Sequence, residues 1–141
     1  DDWWAADKLA VQVRALEADP QLGMVFAHAT NVDTRGAGAA PVALAPQPGY
    51  SLGTLLARRE LFDRVGLLSV TWAVGEFIDW YTRAQDAGVR EVLLPEVLLY
   101  RRVHERNLTG RSPAAARRDY ARIVAAAALR RGRLRVGDVE P

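Results

Sequence analysis

The chain has no cysteine, one lysine and no apolar run of about eighteen residues or more, and each absence removes a class of protein. Without cysteine there is no disulfide scaffold and no thiolate metal site. A reducing, cytoplasmic setting fits that composition. Without a long apolar run no helix spans a membrane. The opening, Asp1-Asp2-Trp3-Trp4, is acidic and aromatic, which is not the pattern of a secretory signal peptide. There is no phosphate-binding P-loop, no GxGxxG and no serine-nucleophile elbow, and Gly36-Ala37-Gly38 reads only as loop. No internal repeat is visible.

What remains is a length of 141 residues, enough for one domain with its own core. The net charge is +2, and Lys8 is the only lysine, so nearly all the positive charge is arginine. Arginine grips phosphate and carboxylate with a planar fork. The same Ala-rich, Arg-for-Lys composition also reads as the imprint of a GC-rich genome. Residues 101–135 are strongly basic and the start is acidic, an asymmetry that permits an anionic partner without demanding one.

Asp7 is placed to cap a helix running to about Ala18, with Leu9, Val13 and Leu16 as its apolar stripe and Asp19-Pro20 as its stop. Gly23 to Ala27 reads as a buried strand, continued in a more polar form from His28 to Thr34. Residues 35–49, rich in Gly, Ala and Pro, read as a long surface loop. Thr54 to Ala57 is a short apolar run. A short helix follows over Arg59 to Val65, closed by Gly66. A stronger helix covers Glu76 to Ala87 with Gly88 at its C-cap. Val89 to Leu94 and Val97 to Val103 read as two strands broken by Pro95. Ser112-Pro113 opens a last helix to about Arg131, with Tyr120, Ile123, Val124, Ala127 and Leu129 inward. The order of elements is α/β or α+β.

Four groups could carry chemistry. Asp1 and Asp2 suit a hard cation such as Mg²⁺ or Mn²⁺, or are a solvated acidic pair. Glu76, Asp79 and Arg83 share one helix face, as a catalytic carboxylate set or as an i,i+4 salt bridge. Trp80 and Tyr81 beside them either cover the helix base or stack on a ring substrate. Arg101-Arg102-Val103-His104 follows a strand directly, a position suited to a diphosphate or a cation. His28 reads as structural, and Asn107-Leu108-Thr109 as a chance glycosylation sequon. The arginines of the last helix, Arg117, Arg118, Arg122, Arg130, Arg131, Arg133 and Arg135, could contact nucleic acid but fit the solvated face of an amphipathic helix better.

Taken in order, these segments resemble family 2 glycosyltransferases of the GT-A fold, over most of residues 1 to 109. The family's Asp-x-Asp-Asp and Trp, followed by a helix, is similar to Asp1-Asp2-Trp3-Trp4, Asp7-Lys8-Leu9, Gln12-Val13, Leu16-Glu17 and Asp19-Pro20. Leu22 to Phe26 matches the next strand, and Arg58-Arg59 with Val65-Gly66 the next helix. Glu76-Phe77-Ile78-Asp79-Trp80-Tyr81-Thr82-Arg83 resembles the family's Glu-Asp-x-Asp-Leu-Trp-x-Arg. Leu94-Pro95-Glu96-Val97-Leu98-Leu99-Tyr100-Arg101-Arg102-Val103-His104 and Asn107 resemble its Leu-Pro-Glu-Val-Leu, Tyr-Arg-x-His and Asn.

The resemblance implies a partial GT-A domain (a Rossmann-like nucleotide-diphospho-sugar transferase fold) over residues 1–110, without the strands that hold the nucleotide, and a C-terminal helix and tail over 111–141. It implies sugar transfer from a nucleotide-sugar donor to an acceptor hydroxyl, inverting and dependent on Mg²⁺ or Mn²⁺. Asp1 would be the second Asp of the motif and a metal ligand, with His104. Arg101, Arg102 and His104 would bind the donor diphosphate, Glu76 or Asp79 would be the base, and Trp80 and Tyr81 would meet the acceptor. Phe77 stands where the family's base stands. An inactive relative acting as a binding or assembly module is the alternative, as is association with a second copy through an exposed sheet edge.

Overall fold

The computed structural model describes residues 1–35, 40–72, 74–104 and 113–137, with side chains in the last helix described over 117–132. Among the described residues the protein is mixed α/β, with four helices and a six-stranded sheet. The strands are β1 (Trp3–Trp4), β2 (Leu22–Asp33), β3 (Val42–Ala43), β4 (Gln47–Gly49), β5 (Leu56–Ala57) and β6 (Arg90–Val103). The helices are α1 (Lys8–Ala18), α2 (Glu60–Val65), α3 (Glu76–Asp86) and α4 (Pro113–Gly137).

The chain folds as two compact units. The first joins Asp1–Arg58 to Arg90–Leu108 and contains the sheet and α1; the second joins Arg59–Val89 to Thr109–Pro141 and contains α2, α3 and α4. Residues 59–89 thus group with the C-terminal helix rather than with the sheet.

In the first unit, β2 is the central strand. It pairs in parallel with β6 on one side and antiparallel with β5, β4 and β3 in succession on the other. The loop expected over 35–49 thus contains two short strands, because β2 is long enough to template both β3 and β4; Gly36 to Gly38 lie outside the described residues. The two strands expected around Pro95 are one. Proline has no N–H for the ladder, and the register shift between Ala27/Leu94 and His28/Val97 lets Pro95 and Glu96 pass without pairing to β2. The β1 edge is only two residues long, a common way to blunt an edge.

The core of this unit gathers Leu16, Leu22 and Val25 with Leu56, Val92 and Leu94. The helix α1 starts after Asp7 as expected, although no side-chain cap bond is made. Its buried face differs from the expected apolar stripe. Lys8, Gln12 and Leu16 are buried, while Leu9 is 50% and Val13 42% exposed. The reason is a main-chain demand. Gln12 Nε2 donates to the carbonyls of Val25 at 3.0 Å and Thr54 at 2.7 Å, so an amide rather than a methyl group faces the sheet.

In the second unit, α2 ends at Gly66, whose φ of 84° suits glycine, with its N–H on the Phe62 carbonyl at 2.9 Å. Before α3, Gly75 has φ 89°, and a Cβ there would stand 2.8 Å from Ile123 of α4, so only glycine lets the two helices meet. Of the residues expected inward on α4, Ile123 and Ala127 are buried, whereas Tyr120, Val124 and Leu129 are exposed. Ser112, the expected cap, lies outside the described residues.

Candidate functional site

In the first unit, the acidic start of the chain is held against the end of β6. Trp3 pairs with Tyr100 and Trp4 with Leu99. Side chains alternate across a strand, so Trp3 and Tyr100 point to one face and Trp4 and Leu99 to the other. On the first face the rings of Trp3 and Tyr100 stack, 5.4 Å apart and 6° from parallel. On the second, the Lys8 ammonium lies 4.3 Å from the Trp4 ring. Asp2 Oδ1 accepts the Arg102 backbone N–H at 3.0 Å, which carries the β1–β6 pairing one residue further.

That pairing brings Asp1 and His104 together. Asp1 Oδ2 and His104 Nε2 are in contact, both side chains partly open to solvent. Asp1 follows the parity of Trp3, and Arg102 and His104 that of Tyr100, so one sheet face carries a carboxylate, an imidazole, a guanidinium and an aromatic stack. Arg101 departs from this set. Alternation turns it to the opposite face, where it is the register partner of Asn31. It does not share a face with the two residues that the resemblance grouped with it. Asn107 lies outside the described residues.

In the second unit, α3 carries the other candidates. Asp79 is 6% exposed, and its Oδ2 accepts Arg83 Nε at 3.1 Å. Arg83 continues to the carbonyls of Val65 at 2.5 Å and Leu67 at 2.8 Å, so the pair fastens α3 to the end of α2. Arg130 of α4 lies 3.8 Å from Asp79 Oδ1. This carboxylate is committed to structure, which disfavours it as a base. Glu76 stands half-buried at the start of the helix.

Trp80 corrects an expectation. It is fully buried, stacks on Phe62 at 5.1 Å, and donates its indole N–H to the Gly66 carbonyl at 2.8 Å. It covers the helix base and presents no face to a substrate ring. Tyr81 remains half-buried and stacks on Phe77, centroids 5.7 Å apart.

The basic last helix is partly neutralised from within. Asp86 accepts Arg131 Nε at 2.8 Å and Arg130 Nε at 3.1 Å. Burial pushes the Asp86 carboxyl up, but these two guanidinium groups outweigh it and hold it below its ordinary value. Arg122 sits 5.2 Å from the Trp72 ring. These contacts leave the helix a weaker candidate for nucleic acid than its arginine content suggests; the side chains of Arg133 and Arg135 lie outside the described residues.

What the described residues bring together in the first unit is therefore a carboxylate–imidazole contact at Asp1 and His104. Among the described residues no group of three or more His, Asp or Glu is placed to hold a metal ion. Among them, too, no helix is long and apolar enough to cross a membrane. The Trp3–Tyr100 stack and the Gln12 bonds had no signal in the sequence, because strand register decides the first and main-chain geometry the second. No protein-family model and no curated protein matches the chain.

Proposed function

We propose that this chain is the C-terminal, acceptor-side part of a GT-A glycosyltransferase of the family 2 type. It would transfer a sugar, with inversion, from a cytoplasmic nucleotide-sugar to an acceptor hydroxyl. The observation that carries this reading is the Asp1–His104 pair. The resemblance assigned both residues to the metal and diphosphate position, and strand pairing puts them in contact.

The pair fits a hard divalent cation. One carboxylate oxygen and one imidazole nitrogen leave most of the coordination shell to substrate oxygens, and Mg²⁺ is commonly held by one or two protein carboxylates together with substrate phosphates. Bound there, Mg²⁺ or Mn²⁺ would act as Lewis acid for the leaving diphosphate. Arg102, on the same face, supplies a guanidinium to that diphosphate. By the resemblance alone, Glu76 would accept the proton of the acceptor hydroxyl, whose oxygen would attack the anomeric carbon as the bond to the diphosphate breaks. Glu76 is preferred over Asp79 because the Asp79 carboxylate is bonded to Arg83. Tyr81 is the remaining aromatic of the pair assigned to the acceptor.

The test is a donor screen with the protein at its native length and Mn²⁺ present. Turnover of a UDP- or GDP-sugar, lost in Asp1→Asn and His104→Ala, supports the reading. A folded protein that turns over no donor in a broad screen sinks it.

One observation favours a second reading, a non-catalytic binding or assembly module. Phe77 occupies the position of the family's base and is stacked on Tyr81 rather than open to a substrate. Mn²⁺-dependent nucleotide binding seen by calorimetry counts against the module, and failure of all nucleotides to bind counts for it.

A further inference from the structure

The sheet face opposite the Asp1–His104 pair carries a second, separate feature. Gln47 of β4 pairs with Ala29 of β2, and Asn31 of β2 pairs with Arg101 of β6. Ala29 and Asn31 are two apart on one strand and so share a face. Gln47, Asn31 and Arg101 therefore stand on one face of three neighbouring strands. All three line a hollow of about 130 Å³, together with Gly49, Tyr50 and Ser51.

One wall of the hollow is packed closely against β2. A Cβ on Gly49 would lie 2.4 Å from the Ala27 carbonyl oxygen, so no side chain can stand at that position. The Thr54 hydroxyl donates to the Gly49 carbonyl, and the Thr54 and Leu55 N–H groups donate to the Ser51 carbonyl at 3.2 and 3.0 Å, which fixes the turn that forms one wall.

Its chemistry has one sign. Arg101 brings a cation, and no carboxylate lines the hollow. The side-chain amides of Asn31 and Gln47 and the Arg101 guanidinium have no hydrogen-bond partner among the described residues, whereas Arg90, at the start of the same strand, is bonded to Gln21 and Asp19. The volume far exceeds the ~10–15 Å³ that one water needs and falls below the roughly 300–1,000 Å³ of a whole-ligand pocket. It suits one headgroup of a larger molecule.

We propose that this hollow is a binding site for a small oxyanion, a carboxylate or phosphate group carried by a molecule that extends into solvent. The Arg101 fork takes two of its oxygens, as guanidinium does with planar and tetrahedral oxyanions alike. The Asn31 and Gln47 amides donate to the remaining oxygen or to a neighbouring hydroxyl. The site does not depend on the glycosyltransferase reading, since none of its residues belongs to the Asp1–His104 face.

The experiment is an amide and arginine side-chain NMR titration of the protein with sodium phosphate and, separately, sodium acetate. Sodium chloride at matched ionic strength is the control. Saturable shifts at Ala29, Asn31, Gln47 and the Arg101 Nε–H are expected, with a Kd of about 1 mM or tighter for the better anion. Tighter binding of phosphate identifies a phosphorylated ligand, and tighter binding of acetate a carboxylated one. Arg101→Gln should weaken binding about tenfold, the scale of one charge-assisted hydrogen bond, and Arg101→Lys by less. Asp1→Asn should leave it unchanged, which separates this site from the proposed metal position. Arg101 is exposed, and an unaltered spectrum away from the hollow verifies that the variants fold. Shifts that chloride reproduces, no saturation with either anion, or undiminished binding by Arg101→Gln would each overturn the proposal.

Discussion

The Lys8 ammonium donates to Gln12 Oε1 at 2.7 Å, and both side chains are buried at the centre of the α1 face that meets the sheet. The amide thereby serves two masters, since its nitrogen already donates to the Val25 and Thr54 carbonyls. A polar chain from ammonium to main chain stands where periodicity predicts an apolar stripe.

Gln12→Leu should therefore destabilise the protein by about 2–4 kcal/mol, because it strips a donor from two carbonyls and an acceptor from a buried cation. Val13→Ser, on the exposed side of the same helix, should change stability by under ~0.5 kcal/mol. Urea unfolding of the two variants checks this. Equal losses would restore the apolar-stripe reading of α1.

Burial lowers the Lys8 pKa from the usual 10.5. Between the folded pKa and 10.5 the unfolded chain binds the proton more tightly than the native one, so stability should rise with pH across that window. Lys8→Met should flatten this alkaline rise, as read from unfolding midpoints at successive pH values. A rise that persists in Lys8→Met assigns it to another group.

The Asp86 carboxyl shifts in the same direction for a different reason and in an acid window. Its folded pKa is depressed by Arg131 and Arg130 against the effect of burial, so its contribution is complete above the unfolded value, about pH 4, and is lost as pH falls through the folded one. Asp86→Asn should be most destabilising near neutrality, and its difference from the parent should shrink on acidification. Thermal unfolding between neutral and acid pH measures this, and a difference independent of pH would contradict it.

Trp80→Ala should cost about 3–5 kcal/mol, the range for a large aromatic removed from a core. It loses the Phe62 stack and the bond to Gly66 together. Tyr81→Ala should cost less stability; in an active enzyme its effect should fall on acceptor KM. An intact unfolding midpoint in Trp80→Ala would show that the residue is not part of the core.

How much of this was legible in the sequence depends on whether a feature is local. The starts of α1 and α3, the stop at Asp19-Pro20, the Gly66 cap and the apolar run of β2 follow from neighbours a few residues away, and those elements lie where capping and periodicity place them. The buried face of α1 does not follow, because the main-chain groups that claim Gln12 belong to β2 and to the turn before β5. The strand through Pro95 does not follow either, since only a partner strand with a shifted register can carry the chain past a residue without an N–H.

The sequence by itself determined the α/β class and the residue types available for chemistry, with no cysteine and carboxylates, arginines and two histidines in their place. It also placed Asp1 ahead of a helix and His104 behind a strand. Only the tertiary structure decided which of these meet. The β1–β6 register joins Asp1 to His104, and strand alternation parts Arg101 from Arg102 and turns it into the hollow beside Asn31. Helix packing commits Asp79 and Trp80 to the frame of their unit. Register and packing arise from contacts between segments far apart in the chain, and no local pattern encodes them.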